Sequence, residues 1–269
     1  MKSISLIFAV GAFFSLLWQE LQAAENYSLW PRRPEALAQA RALLQSGSGG
    51  EAVLLMRPYV LDQGIAGREA RQICAQVNTP RYLSRMHPGA QSYTVQKGDN
   101  FMRVVERTHC PVDVLMLYNG IVEPSALMVG QKLMHVPMNL RVEIHPDARE
   151  VTVWDEQEIV ADYAIERVEG GAQSRKPEWT TISSREGYLG GRPVSSRSFL
   201  FSSADRALKL ANGLLLTGES YYATGPVIRL RQRDVNELSL LLRAGNAVSI
   251  HRKGMPAPEK TEAEPLPQE

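Results

Sequence analysis

The sequence lacks an excess of charge of either sign. Its 30 basic and 29 acidic side chains almost cancel over 269 residues. A balanced charge provides no electrostatic footprint for a nucleic acid and no polybasic patch for a membrane surface. We therefore expect no nucleic-acid partner, and we expect binding to depend on shape and hydrogen bonds.

Cysteine and histidine are also scarce. The chain has 2 cysteines and 5 histidines, and neither a Cys-x-x-Cys nor a His-x-x-x-His spacing occurs. Such spacings place two ligands on one metal ion. The sequence therefore predicts neither a metal site nor a cofactor.

No apolar run is long enough to span a bilayer as a permanent helix, which takes about 20 residues. The longest run, residues 4–17, follows Lys2 and is followed by small residues that end at Ala24. This layout in residues 1–24 is typical of a secretory signal peptide. We expect the mature chain to lie in the periplasm or cell wall, with membrane contact only through this segment. An uncleaved anchor is the alternative.

Export makes Cys74 and Cys110 a candidate disulfide, because an even number of cysteines in an oxidising compartment is typical of a bridge. Such a bridge would stabilise the fold by about 3 to 4 kcal/mol. Two separate buried thiols remain the alternative, since spacing does not determine the bridge geometry.

Residues 34–86 carry a helical pattern. Residues 47–50 break the pattern once, and we expect its last helix to end near Asn78 and Pro80. A single unit of this kind cannot bury its apolar face alone, so it should pack on the rest of the chain. The apolar residues recur at helical spacing in three sets: Leu37, Ala40, Leu43 and Leu44; Ala52, Leu55 and Tyr59; and Ala70, Ile73, Cys74 and Val77.

Residues 92–137 predict a small β-α-α-β unit. A strand at 93–95 leads to a turn at 97–99 and then to an amphipathic helix. Pro111 precedes a second helix, and a last strand begins after the turn at 130–131.

This unit resembles a LysM domain, although it departs from the usual pattern at Asn100, Phe101 and Cys110. The resemblance rests on Tyr93 and Val95 in the first strand, Gly98 and Asp99 in the turn, Asn119 after the second helix, and Gly130, Gln131 and Leu133 at the last strand.

The resemblance to LysM implies a shallow groove for chains that contain N-acetylglucosamine, such as peptidoglycan. The alternative is that Gly98 and Asp99 only form a turn and that Phe101 belongs to the core. The implied groove is lined by Gly98, Asp99, Asn100, Phe101 and Met102 on one side and by Ile121, Val122, Glu123 and Pro124 on the other.

Residues 140–253 change to a period of two, which is typical of strands. One late helix is predicted over residues 231–243, with Asp234 capping its start. The whole chain is thus predicted to be an α+β, multidomain protein with a mostly β C-terminal part. The strand candidates are 142–144, 151–153, 159–165, 179–182, 199–201, 214–216 and 248–250.

The order of these elements resembles an L,D-transpeptidase (YkuD-like) catalytic domain, in which a His-Gly strand precedes a Ser-x-Gly-Cys-x-Arg motif. Thr217 stands at the His position, Val227 at the Cys position and Arg229 at the Arg position. Together with Thr224, these are the degenerate catalytic positions. Valine cannot act as the nucleophile that thiolate chemistry requires, so no catalytic residue is assigned.

Two functions follow as alternatives from these resemblances. The first is a non-catalytic envelope protein that binds peptidoglycan, with another envelope protein as a further partner. The second is an active transpeptidase or other cell-wall-remodelling enzyme with divergent catalytic groups. Residues 254–269, rich in proline and charge, are expected to be a disordered tail.

Overall fold

The computed structural model describes residues 33–123, 127–172, 176–194, 201, 203–221 and 225–255. The predicted signal peptide and almost all of the predicted tail lie outside these residues. So do Pro124, Thr224 and most of the strand predicted at 199–201. Among the described helices, none has the length and apolar character needed to cross a bilayer.

Three helices open the described chain. They are α1 (Arg33–Gln45), α2 (Gly49–Met56) and α3 (Ile65–Tyr82), and a 3-10 turn (Arg57–Tyr59) follows α2. Pro58 lies in that turn, where the missing N–H of proline costs no helical hydrogen bond. The end of the third helix was predicted near Asn78 and Pro80, and α3 ends two residues later, at Tyr82.

The β-α-α-β unit predicted after these helices is confirmed. It consists of β1 (Gln91–Thr94), α4 (Phe101–Thr108), α5 (Val112–Asn119) and β2 (Lys132–His135). The two strands pair antiparallel, with Tyr93 opposite Leu133.

The C-terminal part is mostly β with one late helix, as predicted. The helix is α6 (Gln232–Leu241). The strands are β3 (Leu140–His145), β4 (Glu150–Asp155), β5 (Glu158–Ala164), β6 (Arg167–Glu169), β7 (Glu178–Leu189), β8 (Arg192–Val194), β9 (Asp205–Leu210), β10 (Leu215–Thr217), β11 (Val227–Arg229) and β12 (Ala247–Ile250).

These strands form one continuous sheet in the order β5-β4-β3-β12-β7-β9-β10-β11-β6, with β8 paired to β7. Within the described strands, the pairs β3–β12 and β10–β11 are parallel and the others are antiparallel. The first and last strands of the domain therefore lie side by side at the middle of the sheet.

Two details of the C-terminal prediction are corrected. Arg231 is the residue that precedes α6, and Asp234 lies inside its first turn, so the predicted cap at Asp234 is wrong. The Asp234 carboxylate instead accepts a hydrogen bond from Arg231 at 2.7 Å. Its charge near the helix N-terminus is favourable for the helix dipole. Phe201 lies outside the strands.

One buried cluster joins the LysM-like unit to the sheet. It runs from Val95 and Leu115 in the unit to Val142 and Ile250 in the sheet. A second cluster packs α1, α2 and α3 against Trp154 and Ile159 of β4 and β5. The helical segment thus buries its apolar face against the sheet, as a unit of this size requires.

The candidate disulfide is not formed in the structure. Cys74 belongs to the cluster of the helical segment, whereas Cys110 belongs to the cluster of the LysM-like unit and the sheet. Both are buried free thiols. Burial raises the pKa of Cys74 to about 12 and that of Cys110 to about 11, so both stay protonated at neutral pH.

Helix α3 covers the edge strand β5 of the sheet. The side chain of Asn78 donates to the Ile159 carbonyl at 2.7 Å, and the hydroxyl of Thr79 donates to the Val160 carbonyl at 2.8 Å. Unpaired carbonyls at a sheet edge otherwise invite pairing with another chain. These contacts also explain why α3 continues past Asn78.

Arg71 and Glu150 join the same helix to β4. Two guanidinium nitrogens of Arg71 donate to the two carboxylate oxygens of Glu150 at 2.7 and 2.8 Å. Their side chains are only 13% and 3% exposed. Burial by itself would raise the pKa of Glu150, but the hydrogen bonds from Arg71 and from Asp162 help to hold it below its ordinary value.

We predict that Arg71→Met destabilises the protein by about 3 kcal/mol or more, because it leaves the Glu150 carboxylate buried without its partner. Urea unfolding at pH 7 measures the change. Arg41→Met is the matched control, since the Arg41–Glu69 pair is 55% and 34% exposed. Exposed pairs contribute about 0 to 1 kcal/mol. Equal losses in the two variants would contradict the prediction.

Candidate functional site

The turn after β1 is organised around the carboxylate of Asp99. This carboxylate accepts hydrogen bonds from the Tyr93 hydroxyl at 2.7 Å, the Gln96 N–H at 2.8 Å and the Arg107 guanidinium at 2.8 Å. The Asp99 side chain is 1% exposed. The bonds from Gln96 and Tyr93, followed by the charge of Arg107, hold the pKa of Asp99 below its ordinary value.

The start of α4 completes this turn. The side chain of Asn100 accepts the Arg103 N–H at 2.8 Å, which is the ordinary role of a helix-capping residue. In return, the Arg103 guanidinium donates to the Gly98 carbonyl at 2.8 Å. Gly98 has φ +88°, which a residue with a Cβ adopts only under strain.

The loop after α5 is fixed by Asn119. Its side chain donates to the carbonyls of Leu115 and Met134 at 2.8 Å and accepts the Met134 N–H at 2.7 Å. These bonds connect the end of α5 to β2 and set the direction in which the chain leaves toward Ile121. Ile121 packs against the core.

The structure divides the predicted groove residues into two groups. The side chains of Asp99 and Asn100 accept hydrogen bonds from backbone N–H groups of the turn and of α4. Phe101 is 4% exposed and belongs to the core. Met102 and Val122 are 54% and 73% exposed, so their apolar side chains are available to a ligand. Gly98 and Glu123 are also exposed.

Sequence reasoning missed the residues that support the turn. Tyr93 was identified only as a strand residue, yet its hydroxyl bonds Asp99 and accepts from Arg107 at 2.8 Å. The available signal was an acidic residue just before α4, Asp99, followed by a basic residue near the end of that helix, Arg107. These two side chains bond each other and stabilise the turn.

A cleft of about 830 Å³ runs between the LysM-like unit and the sheet. Met102 lines it together with Arg141 and Arg243. The same two arginines also line a neighbouring cleft of about 1070 Å³. The exposed Met102 therefore lies at the start of a recessed surface that is lined by arginines and by acidic residues such as Glu156.

Three of the positions predicted to be degenerate catalytic positions, Thr217, Val227 and Arg229, lie on the parallel strands β10 and β11. Thr217 pairs with Arg229, and Val227 pairs with Leu215. Thr217 and Val227 are 0% and 2% exposed. Val227 belongs to a small apolar cluster with Ala207 and Leu215, against which Tyr221 packs. The position of the expected nucleophile is thus a packed apolar side chain.

Tyr221, which packs against this cluster, carries a hydroxyl group. It donates to a Glu186 carboxylate oxygen at 2.7 Å and lies 3.1 Å from the Tyr188 hydroxyl. Burial, followed by the bonds with Tyr188 and Glu186, raises the pKa of Tyr221. Its hydroxyl therefore stays protonated and is a weak nucleophile.

Arg229 is used to hold the fold. Its guanidinium donates to the Glu169 carboxylate at 2.9 Å, the Gly218 carbonyl at 2.9 Å and the Tyr221 carbonyl at 3.1 Å. These bonds connect β11 to β6 and to the loop after β10. Arg229 consequently braces the loop that a catalytic domain would use as a pocket wall.

No thiol–imidazole pair is available at these strands. Residues 140–253 contain no cysteine, and their histidines are His145 and His251. Strands β7 and β9 separate β12, which precedes His251, from β10. Val227 lies one strand further, in β11. At about 4.8 Å per strand, the four spacings from β12 to β11 give a separation of about 19 Å, which is too far for proton transfer at Val227.

Comparison with known proteins supports the first resemblance directly. A model of the LysM domain matches residues 93–134. These residues are therefore a LysM domain. No curated protein matches the chain.

Comparison with solved structures returns, among others, proteins described as L,D-transpeptidases. The chain is 13% identical to Bdellovibrio bacteriovorus Bd1075 over 43% of its own length and 48% of that chain, with a TM-score of 0.31. It is 14% identical to an L,D-transpeptidase from Xylanimonas cellulosilytica, over 42% of this chain and 61% of that one, with a TM-score of 0.28. It is 12% identical to an L,D-transpeptidase from Mycobacterium smegmatis, over 46% of this chain and 64% of that one, with a TM-score of 0.31.

The chain thus spans about half to two thirds of the length of these solved structures.

We predict that Asp99→Asn lowers the thermal unfolding midpoint at pH 7, because the turn loses charge-assisted hydrogen bonds. The pKa of Asp99 is depressed in the folded state, so its contribution is present above the unfolded pKa of about 4 and is lost as pH falls through the folded value. The difference from the wild type should therefore shrink at pH 3. Glu106→Gln, exposed on α4, is the control. A pH-independent difference would contradict the prediction.

We predict that Thr217→Val stabilises the protein by about 1 kcal/mol. The Thr217 hydroxyl is buried and has no hydrogen-bond partner among the described residues, and an unpaired buried hydroxyl is costly. Chemical denaturation measures the change. A loss of stability would show that the hydroxyl has a partner, and would reopen a polar role for this position.

Proposed function

We propose that the protein binds peptidoglycan, or a related polymer that contains N-acetylglucosamine, through its LysM domain. The single observation that carries this proposal is the match of residues 93–134 to the LysM domain. The exposed apolar side chains of Met102 and Val122 support it, because the methyl of an acetamido group needs an apolar contact. The polar part of that group can bond the exposed backbone at Gly98.

The internal hydrogen bonds of the turn serve this binding. Asp99, Asn100 and Arg103 hold the backbone at residues 98–102 in one conformation before a ligand arrives. A preorganised site loses less conformational entropy on binding. In this proposal the polar side chains shape the groove, while Met102, Val122 and the backbone contact the sugar.

The cleft beside Met102 extends the proposed binding surface. Arg141 and Arg243 line it, and guanidinium groups bind carboxylates well. A glycan strand held at the turn would bring any acidic substituents of the polymer toward these arginines. Glu106 and Glu156 line the same cleft, so it offers groups of both charges to the polymer.

The C-terminal domain is proposed to be non-catalytic. The packed Val227, the buried Thr217 and the bonded Arg229 support this assignment. A thioester mechanism needs a thiolate, a base and an oxyanion site together. The domain then serves as the scaffold on which the LysM domain is held, and as a surface for another envelope protein.

The proposed site of action is the cell envelope outside the cytoplasm. The glycan that the LysM domain would bind is found there, and the layout of residues 1–24 supports export.

The test is retention of the purified protein on insoluble peptidoglycan, with a parallel assay for released or newly cross-linked fragments. We expect the wild type to be retained and no product to form. The double variant Met102→Glu/Val122→Glu should bind about tenfold more weakly or worse, since it places charge in an apolar contact. Ile65→Glu is the matched control, because Ile65 is 83% exposed outside the LysM domain.

Each outcome bears on a separate part of the proposal. Failure of the wild type to bind would overturn the glycan-binding assignment. Equal retention of the double variant and the control would move the site away from the turn. The fragment assay uses heat-unfolded Ile65→Glu as its inactive control. Fragments that form with the folded wild type but not with this control would overturn the non-catalytic assignment.

A further inference from the structure

Three potential metal ligands meet at the paired ends of β3 and β12. Glu143 and His145 are two residues apart in β3, so their side chains point to the same face. His251 directly follows β12, and its N–H donates to the Ile144 carbonyl at 2.8 Å. The parallel pairing of β3 with β12 thus continues one residue further and places His251 beside His145.

The side chains are close enough to share one ion. One oxygen of Glu143 and one ring nitrogen from each histidine all lie within 4.8 Å of one another. The imidazole rings of His145 and His251 stack with centroids 4.5 Å apart and planes at 14°. Ligands of a tetrahedral zinc ion, bonded at 2.0 to 2.2 Å, are about 3.4 Å apart. Small side-chain rotations would close the difference.

We propose that Glu143, His145 and His251 form a binding site for a divalent transition-metal ion, with zinc as the best match. Two imidazole nitrogens and one carboxylate oxygen are a donor set that zinc uses when it keeps a fourth position for water or another ligand. All three residues are half-buried, so the open position would face solvent.

The surroundings supply the outer contacts that metal sites ordinarily have. One carboxylate oxygen of Glu143 lies 3.6 Å from the Arg141 guanidinium, while the other lies 3.6 Å from His145. The Ser249 hydroxyl lies 2.9 Å from a ring nitrogen of His251 and orients that ring. Outer partners of this kind hold ligands in position and tune affinity.

A simple ion pair between Glu143 and protonated His145 is the competing explanation. It accounts for the contact of those two residues, but it does not account for a second imidazole ring, that of His251, stacked against the first. A shared ion accounts for all three side chains. The two explanations differ in whether His251 contributes to metal affinity.

The site would connect the first and last strands of the C-terminal domain. An ion that binds only the folded state stabilises it, and here it would join β3 to β12 at their ends. This inference is independent of glycan binding, because none of its residues lies in the LysM domain.

The test is a titration of the metal-free protein with Zn²⁺ against a chromophoric chelator, with Co²⁺ as a spectroscopic probe. We expect one ion per chain, a rise in the thermal midpoint with Zn²⁺, and a visible Co²⁺ absorption of four- or five-coordinate character. His145→Gln, His251→Gln and Glu143→Gln should each weaken binding by about 100-fold or more. Thermal unfolding without metal checks that each variant folds.

His109→Asn is the matched control. His109 is exposed in the LysM domain and has φ +51°, a conformation that asparagine tolerates. Its affinity for Zn²⁺ should equal that of the wild type. Absence of a bound ion, an undiminished affinity in His251→Gln, or an equal loss in the control would overturn the site. Should a variant fail to fold, the Co²⁺ spectrum of the wild type decides, since a six-coordinate aquo-like spectrum would contradict the three-ligand site.

Discussion

The parallel pairing of β3 with β12 is the interaction on which the rest of the structure depends. Strand β12 pairs with β3 on one side and with β7 on the other, so it joins the two halves of the sheet. The Asn246 side chain strengthens this junction by donating to the Leu140 carbonyl at 2.8 Å. Without β12, the strands β3, β4 and β5 and the helices packed on them would have no connection to the other half of the sheet through strand pairing.

The LysM domain is built onto this sheet rather than tethered to it. It shares a buried cluster with the sheet and with α6. A buried Arg185 in β7 bonds both Asp113 at the start of α5 and the Ser239 carbonyl in α6. Burial and then the nearby Arg206 lower the pKa of Arg185 to about 10. A buried guanidinium that loses its hydrogen-bond partners is strongly destabilising. The contacts of Arg185 therefore keep the LysM domain in one orientation on the sheet.

The two halves of the sheet differ in the chemistry they present. At β10 and β11, the side chains of Thr217 and Val227 are buried. At β3 and the end of β12, two histidines and a carboxylate lie together on a half-exposed face. Strands β7 and β9 separate β12 from β10, so these two groups of side chains lie about 14 Å apart or more.

The sequence by itself determined the features that neighbouring residues encode. The LysM turn depends on a glycine that takes positive φ and an asparagine that caps the next helix, and the strands of the sheet follow from alternation. Local patterns also exclude a thiolate at Val227. They do not predict that Asn78 in α3 bonds the edge strand β5, because this contact joins residues 81 positions apart. Only the tertiary structure separated Cys74 from Cys110, paired Arg71 with Glu150 and brought His251 to Glu143 and His145. Strand pairing between distant segments has no local period, so no pattern along the chain could show which side chains would meet.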